Sequence, residues 1–157
     1  SIAFAKSQLA AGVVLPAKGN IFVSVSARHK DSFVDLAGRL TALGFNLMAT
    51  EGTARHLQEE NIPVRLVKKL SEGRPNLLDH LNDGEVALIM NTPSGKGART
   101  DEGRIRAAAV QHGVPCITTA QAAEAAVKAM EALRENEMDV QALQDRFKSK
   151  TATTVAR

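Results

Sequence analysis

Short apolar runs that alternate with amphipathic segments most constrain what this chain can fold into. Five runs rich in apolar and β-branched residues predict strands over residues 20–27, 45–49, 63–67, 86–90 and 114–117. Apolar residues at helical spacing predict helices over residues 31–43, 54–61, 76–81, 101–111, 118–134 and 138–148. Strands that alternate with helices form a parallel sheet with helices on both faces. We therefore predict a three-layer α/β fold with five parallel strands.

Composition excludes several classes of protein. The chain has 157 residues, which suits one main domain, and its net charge is +3, too low to indicate nucleic-acid binding. Only 3% of residues are aromatic, with no Trp or Tyr, which argues against a base-stacking surface. No apolar run reaches the roughly 18 residues that span a bilayer. The single Cys116 excludes an internal disulfide and fits a reducing compartment, so we expect a cytoplasmic protein. Its apolar flanks predict a buried small side chain, not a nucleophile.

The ends of the chain differ from its middle. Residues 1–18 contain Gly12 and Pro16, which interrupt any helix, and they read as the continuation of a preceding domain. Residues 19–150 hold all the predicted strands and helices and form the main domain. Residues 151–157 are small and polar, and we expect a disordered tail there.

A turn between the second strand and its helix has the composition of an anion site. Thr50 and Thr53 bracket Gly52, which lets a ligand approach the backbone where a Cβ would block it. The free N–H groups and the positive dipole end of the following helix attract phosphate or carboxylate. An alternative is that Thr50 or Thr53 merely caps the helix, as Ser and Thr commonly do.

Polar residues also follow other predicted strands, and the carboxyl ends of parallel strands share one edge of a sheet. The candidates are Lys30 after the first strand, Thr50 and Thr53 after the second, Lys69 and Arg74 after the third, and Asn91, Thr92 and Ser94 after the fourth. Two ammonium groups, two hydroxyls and helix N–H donors suit a phosphomonoester. Asn91 and Asp101 could contact a base edge or a ribose hydroxyl. The alternative for each Lys is a solvated surface residue. Asp79 and Asp101 are the carboxylates best placed for proton transfer, and the alternative for both is a helix cap.

Three segments resemble a known family. They read Thr-Glu-Gly-Thr-Ala at 50–54, Lys-Leu-Ser-Glu-Gly-Arg-Pro at 69–75 and Val-Ala-Leu-Ile-Met-Asn-Thr-Pro-Ser-Gly at 86–95. They resemble the methylglyoxal-synthase-like fold and, more narrowly, the C-terminal allosteric domain of the carbamoyl-phosphate synthase large subunit. Residues 4–12 are similar to the segment that leads out of the second ATP-grasp half of that subunit. The resemblance covers about residues 3–135.

The resemblance implies a five-stranded parallel Rossmann-like sheet and a regulatory pocket for a nucleotide monophosphate, UMP or in some members IMP. It assigns the effector phosphate to Lys30, Thr50, Thr53 and Lys69, and the ribose and base to Asn91, Thr92, Asp101 and Ile105. It implies no catalytic residue, metal or cofactor in the domain itself. The resemblance places a second Thr of some family members where this chain has Pro93, and an acidic residue for the activator ornithine where it has Ile117. We therefore do not predict ornithine activation.

For the whole protein, the resemblance implies a glutamine-hydrolysing, ATP-dependent ligase that makes carbamoyl phosphate for pyrimidine and arginine biosynthesis. ATP, Mg²⁺ and K⁺ would act in the full-length subunit, and the partners would be the rest of that subunit and a glutaminase small subunit. The alternative function is a lyase acting on dihydroxyacetone phosphate, like the namesake of the fold. That enzyme carries Gly-Gly-Asp after its third strand, where this chain has Glu72, Gly73 and Arg74. Arginine cannot act as a base near neutral pH.

Overall fold

The computed structural model describes residues 15–92 and 99–155, with side chains for 15–92 and 103–147. Its strands are β1 (Asn20–Val25), β2 (Asn46–Ala49), β3 (Arg65–Leu66), β4 (Leu88–Thr92) and β5 (Cys116–Ile117). Its helices are α1 (Lys30–Ala42), α2 (Glu51–Glu59), α3 (Leu77–Asn82), α4 (Arg99–Gln111) and α5 (Ala120–Val155). Short 3₁₀ helices occupy Ala27–His29 and Leu70–Glu72.

The five strands form one parallel sheet in the order β3-β2-β1-β4-β5. β1 lies at the centre, with Val23 opposite Ala49 of β2 and Met90 of β4. All five carboxyl ends therefore reach the same edge of the sheet, as the alternation of strands and helices predicts. The predicted five-stranded parallel α/β fold is confirmed.

Two apolar cores lie on the two faces of the sheet. The first core packs α1, α2 and α5 against alternate residues of the strands, such as Ile21, Val23 and Leu88. The second core packs α3 and α4 against the intervening residues, such as Phe22 and Ile89. Successive side chains of a strand point to opposite faces, so the sheet separates the two cores completely.

Several predicted boundaries were wrong. β3 is only two residues long, and Leu66 is 60% exposed because β3 is an edge strand with one hydrogen-bonded neighbour. Asn91 and Thr92, predicted to lie in a loop, are the last two residues of β4 and are buried. The strand extends to Thr92 because both residues remain in register with β1.

The end of the chain also differs from the prediction. The two helices predicted over 118–134 and 138–148 are one continuous helix, α5. No Gly or Pro follows Pro115, so nothing in the sequence interrupts the backbone hydrogen bonds. The helix continues to Val155, five residues into the predicted tail. Most of the predicted leading segment, residues 1–14, lies outside the described residues. Within the described ranges, no helix is long and apolar enough to cross a membrane.

Candidate functional site

The turn from β2 into α2 leaves one hydroxyl unused by the helix. Thr50 occupies the N-cap position in an extended conformation, and its side chain makes no capping hydrogen bond. The alternative in which Thr50 caps the helix is therefore wrong. Because Thr50 directly follows β2, its hydroxyl and the free N–H groups of the first turn of α2 lie at the carboxyl end of that strand.

Lys30 lies directly above this turn. Its ammonium group donates a hydrogen bond to the carbonyl oxygen of Gly52, with an Nζ–O distance of 3.4 Å. A Cβ added to Gly52 would lie 3.7 Å from Nζ, which is an ordinary contact. α1 therefore supplies a cation to the N-terminus of α2, and Gly52 keeps the space between them open.

A row of polar residues crosses three strands at the same edge. The register pairs Ser24 of β1 with Asn91 of β4, and Thr50 follows Ala49, the partner of Val23. By strand alternation these three side chains share the face of Ile89, which is also the face against which Ile105 of α4 packs. The sequence analysis missed Ser24, which is partly exposed in the structure. A serine between two valines of a predicted strand is the sequence signal that could have indicated a polar residue there.

Two other threonines bind the end of β1. The Thr53 hydroxyl accepts a hydrogen bond from the Val25 N–H at 3.3 Å, and the Thr92 hydroxyl accepts one from the Ser26 N–H at 3.2 Å. Both side chains are buried, and Thr92 belongs to the face opposite Asn91. Each hydroxyl keeps its own proton to donate, so a ligand could still accept from it. Their roles toward a ligand stay predictions.

Lys69 extends the site toward β3. The Val67 N–H donates to the Ala49 carbonyl at 2.8 Å, which holds the chain after β3 beside the end of β2. Lys69 follows two residues later with an exposed side chain, while its backbone N–H donates to the Glu72 carboxylate at 2.9 Å. The Asp101 side chain lies outside the described residues, so its predicted position next to Asn91 stays a prediction.

The segment after Lys69 is held rigidly by its own polar groups. Asn76 accepts a hydrogen bond from the Leu78 N–H at 3.0 Å and donates one to the Gly73 carbonyl at 2.9 Å. Arg74 donates to the Asp79 carboxylate at 2.8 Å, and the Asn76 N–H donates to the same carboxylate at 2.8 Å. The Arg74 guanidinium, with the Asn76 N–H, lowers the pKa of Asp79, and that of Arg74 is raised. Asp79 is thus the helix cap that the sequence offered as its alternative.

Two histidines lie near Lys30. The His56 Nε2 atom is buried, makes no hydrogen bond to any described residue, and lies 3.4 Å from the Asp31 carboxylate. The His29 Nδ1 atom lies 3.1 Å from the Ser26 hydroxyl. Among the described side chains, no three His, Cys, Asp or Glu residues cluster as metal ligands would.

Cys116 does not contribute a nucleophile to this edge. It lies in β5 with its side chain half-buried, and burial raises the pKa of its thiol. An open groove of about 790 Å³ lies between α1 and α5, with Leu36 and Lys128 among its lining residues. None of the predicted site residues lines this groove, so it is a surface distinct from the predicted phosphate site.

The chain is similar to known proteins along most of its length. Residues 32–118 match the family model of the MGS-like domain. The chain is 65% identical over 147 residues to the carbamoyl phosphate synthase large chain of Rhodopirellula baltica. It is 49% identical over 144 residues to the C-terminal section of the same large chain from Methanopyrus kandleri. These matches cover 94% and 91% of this chain but only 14% and 27% of the relatives.

A solved structure supports the same fold. The crystal structure of methylglyoxal synthase from Elizabethkingia anophelis aligns with a TM-score of 0.56 over 72% of this chain and 79% of that one. Sequence identity is 19%, so this likeness concerns the fold alone. The family model covers the chain from α1 to β5, and the relatives extend the match on both sides. The chain belongs to the MGS-like domain family, and its curated relatives are carbamoyl phosphate synthase large chains.

Proposed function

We propose that this domain is a non-catalytic regulatory module that binds a nucleotide monophosphate, UMP or IMP, at the carboxyl edge of its sheet. The supporting observation is the Lys30 ammonium group above the open N-terminus of α2, beside the uncommitted Thr50 hydroxyl. A cation, a hydroxyl and unpaired helix N–H groups together favour a phosphate dianion. In this proposal Lys69 approaches the phosphate from β3, while Asn91, Thr92, Asp101 and Ile105 hold the ribose and base.

The names of the relatives supply the larger context of the proposal. The full-length protein would be the large chain of carbamoyl phosphate synthase, an ATP-dependent, glutamine-hydrolysing ligase that also uses Mg²⁺ and K⁺. It would act in the cytoplasm with a glutaminase small subunit, for pyrimidine and arginine biosynthesis. An effector regulates such an enzyme only if it binds the more active and less active forms unequally. The coupling free energy in such systems is about 1–3 kcal/mol.

The geometry around Asp79 favours regulation over a lyase activity. A lyase of this fold needs a carboxylate that accepts a proton beside the substrate. In the loop after β3, the Glu72 carboxylate accepts the Lys69 N–H, and Asp79, which follows the loop, is held ionised by Arg74 and the Asn76 N–H. A carboxylate with a lowered pKa is a weak base, because a general base works best with a pKa near the operating pH. We therefore place the anion-binding role above the catalytic one.

Titration with nucleotides tests the proposal directly. Calorimetry of the chain with UMP and with IMP should show binding of at least one, and that nucleotide should raise the thermal unfolding temperature. Because the ligand is a dianion among cations, higher salt should weaken its affinity. Dihydroxyacetone phosphate should yield no methylglyoxal. Turnover of that substrate would replace the proposal with the lyase alternative.

Single substitutions locate the site. Lys69→Ala and Lys30→Ala should each weaken nucleotide binding by about 1–3 kcal/mol, since each removes a charged hydrogen bond to phosphate. Gly52→Ala should also weaken binding, although its Cβ fits the empty protein. The matched control is Lys18→Ala, because Lys18 is exposed before the opposite, amino end of β1. Unchanged affinity in both lysine variants would show that the phosphate binds elsewhere.

A further inference from the structure

His56 lies on the side of α2 that faces α1. Gly52 and His56 are four residues apart on α2, so they share one side of the helix and lie about 6 Å apart along its axis. The Gly52 carbonyl accepts from the Lys30 ammonium group of α1 at 3.4 Å, and the His56 Nε2 atom lies 3.4 Å from the Asp31 carboxylate of α1. The imidazole is therefore one helical turn from the proposed phosphate position, and it contacts the residue next to Lys30.

The contact between His56 and Asp31 is incomplete in this structure. The Nε2 atom is buried and makes no hydrogen bond to any described residue, which is unfavourable for a polar nitrogen. The Asp31 carboxylate is fully exposed, and among the described side chains it forms an ion pair with no other group. A proton on the imidazole would make both ring nitrogens donors, and the two side chains would then attract each other as cation and anion.

The positions of the two residues in their helices favour these charges. His56 is in the last turn of α2, where the helix dipole stabilises a cation. Asp31 is in the first turn of α1, where the dipole stabilises an anion. The fold therefore accepts a protonated His56 beside an ionised Asp31.

The other charged groups around α2 leave Asp31 as the ionic partner of His56. β1 and β2, which pack against α2, contain no charged residue. The remaining described charges on α1, on β3 and on α2 with its C-cap are Lys30, Asp35, Arg39, Arg65, Glu51, Arg55, Glu59 and Glu60. None of the acids in this set forms an ion pair with His56. His29, before α1, lines the groove on the α5 side of that helix.

We propose that His56 is a proton-linked positioning residue of the phosphate site. When His56 is protonated, it pairs with Asp31 and offsets a negative charge that otherwise opposes a dianion at Lys30. This inference rests on the proposed function, because it requires a phosphate beside Lys30 and the N-terminus of α2. Since linked equilibria are reciprocal, the bound phosphate in turn favours the proton on His56. The domain would thus respond to pH in the range where histidine changes its charge.

Calorimetry with UMP and with IMP at pH 6 and pH 8 tests the proton linkage. Phosphate monoesters titrate near pH 6 themselves, so the quantity to compare is the Kd of His56→Gln divided by that of the unsubstituted chain. Titration of the ligand cancels in this ratio. The ratio should be about two- to fivefold larger at pH 6 than at pH 8, because only the protonated imidazole attracts the dianion.

Two further variants separate charge from packing. His56→Lys carries a cation at both pH values, so it should bind the nucleotide more tightly than the unsubstituted chain at pH 8. His112→Gln is the matched control, because His112 follows α4 at the amino edge of the sheet and contacts Asn82. The Kd of this control relative to the unsubstituted chain should be the same at pH 6 and pH 8.

NMR titration of the histidine ring protons observes the linkage without depending on a substitution at the site. The titration midpoint of His56 should move to higher pH when the chain is saturated with nucleotide, whereas the midpoint of His112 should stay. Asp31→Asn should lower the midpoint of His56 in the free chain, since it removes the carboxylate that attracts the proton. The same variant should tighten nucleotide binding at pH 8.

The outcomes distinguish this inference from the proposed function. If a nucleotide binds but the ratio is equal at pH 6 and pH 8 and the His56 midpoint does not move, the proton linkage is wrong and the phosphate site stands. If neither UMP nor IMP binds, the proposed function and the linkage are both overturned. If His56→Gln does not fold, the NMR titration of the unsubstituted chain decides alone.

Discussion

Gly73 has a backbone conformation that other residues rarely adopt. Its φ is +106° and its ψ is −155°, a region that a Cβ makes unfavourable. No atom lies within 4 Å of the position of an added Cβ, so a substitution would meet backbone strain and no steric clash. The glycine lets the chain turn from the 3₁₀ helix into the segment where Asn76 and Asp79 begin α3.

Replacing glycine with alanine should have opposite effects at two positions. Gly73→Ala should lower the free energy of unfolding by about 1–3 kcal/mol because of the strained conformation. Gly38→Ala should raise it by about 1 kcal/mol, because Gly38 lies in the exposed part of α1 with open space around its Cβ. Urea denaturation of both variants measures the two changes. A stabilising Gly73→Ala would show that the loop relaxes to another conformation.

At the residue scale, the sequence predicts the structure correctly where a single residue determines the local backbone conformation. Gly44 follows the helix predicted over residues 31–43, and its φ of +92° marks the end of α1 directly after the C-cap residue Leu43. The hydrogen bonds of Thr53 and Thr92 could not be predicted from the sequence, because their hydroxyls accept from the N–H groups of Val25 and Ser26, which are 28 and 66 positions away. The sequence offered a cap or a ligand contact for Thr53 and a ligand contact for Thr92, and in the structure both hydroxyls accept from backbone N–H groups.

Arg39 connects α1 to α5. Its guanidinium donates to Glu131, to Glu124 at 3.0 Å, and to Asp35 of its own helix at 3.4 Å. The Arg39 side chain is only 25% exposed, and its hydrogen bond lowers the pKa of Glu124. Two bonded carboxylates on α5 make this a network across two helices and not an isolated surface pair.

Removing the Arg39 network should lower the free energy of unfolding, because its hydrogen bonds join α1 to α5. Arg39→Met should lower the free energy of unfolding by about 1–2 kcal/mol at low salt and by less at high salt. Arg55→Met is the matched control, because Arg55 pairs only with Glu51 on the same helix and is 70% exposed; its effect should stay within about 0.5 kcal/mol. Equal effects of the two substitutions would mean that the contacts of Arg39 add nothing to helix packing.

The helices and strands could be predicted where residues close together in the sequence determine them. Apolar periodicity located all five strands and the helices between them. The break predicted before Met138 was wrong because the apolar face changes there while the backbone continues, and periodicity alone does not separate these cases. The length of β3 was overestimated because residues 63–67 are apolar enough for a central strand, whereas their position at the sheet edge depends on the whole topology.

At the scale of the molecule, the edge where the candidate site lies follows from parallel strands alone. Thr50, Ser24 and Asn91 meet there because β2, β1 and β4 are neighbours in register. That strand order is set by packing on both faces, which a single sequence does not display. The sequence therefore predicted at which edge of the sheet the site lies. The alignment of Thr50, Ser24 and Asn91 across that edge could be seen only in the structure.

The described core contacts of α5 lie in its first third, which predicts that the domain folds without the end of this helix. Among the described side chains of α5, all buried ones precede Leu133, and the Arg134 guanidinium bonds the Leu43 carbonyl at 2.9 Å. A chain that ends at Asn136 should therefore keep its free energy of unfolding within about 0.5 kcal/mol, since the described side chains that it loses are exposed. Its nucleotide affinity should be unchanged.

Urea denaturation and calorimetry of the truncated chain measure these two properties separately. A large loss of stability would mean that the exposed helix supports the core through contacts with residues outside the described ranges. A loss of nucleotide affinity with stability intact would instead connect the end of α5 to the carboxyl edge. That connection would be expected of a regulatory element, because an effector must change the energy of a distant contact to act through it.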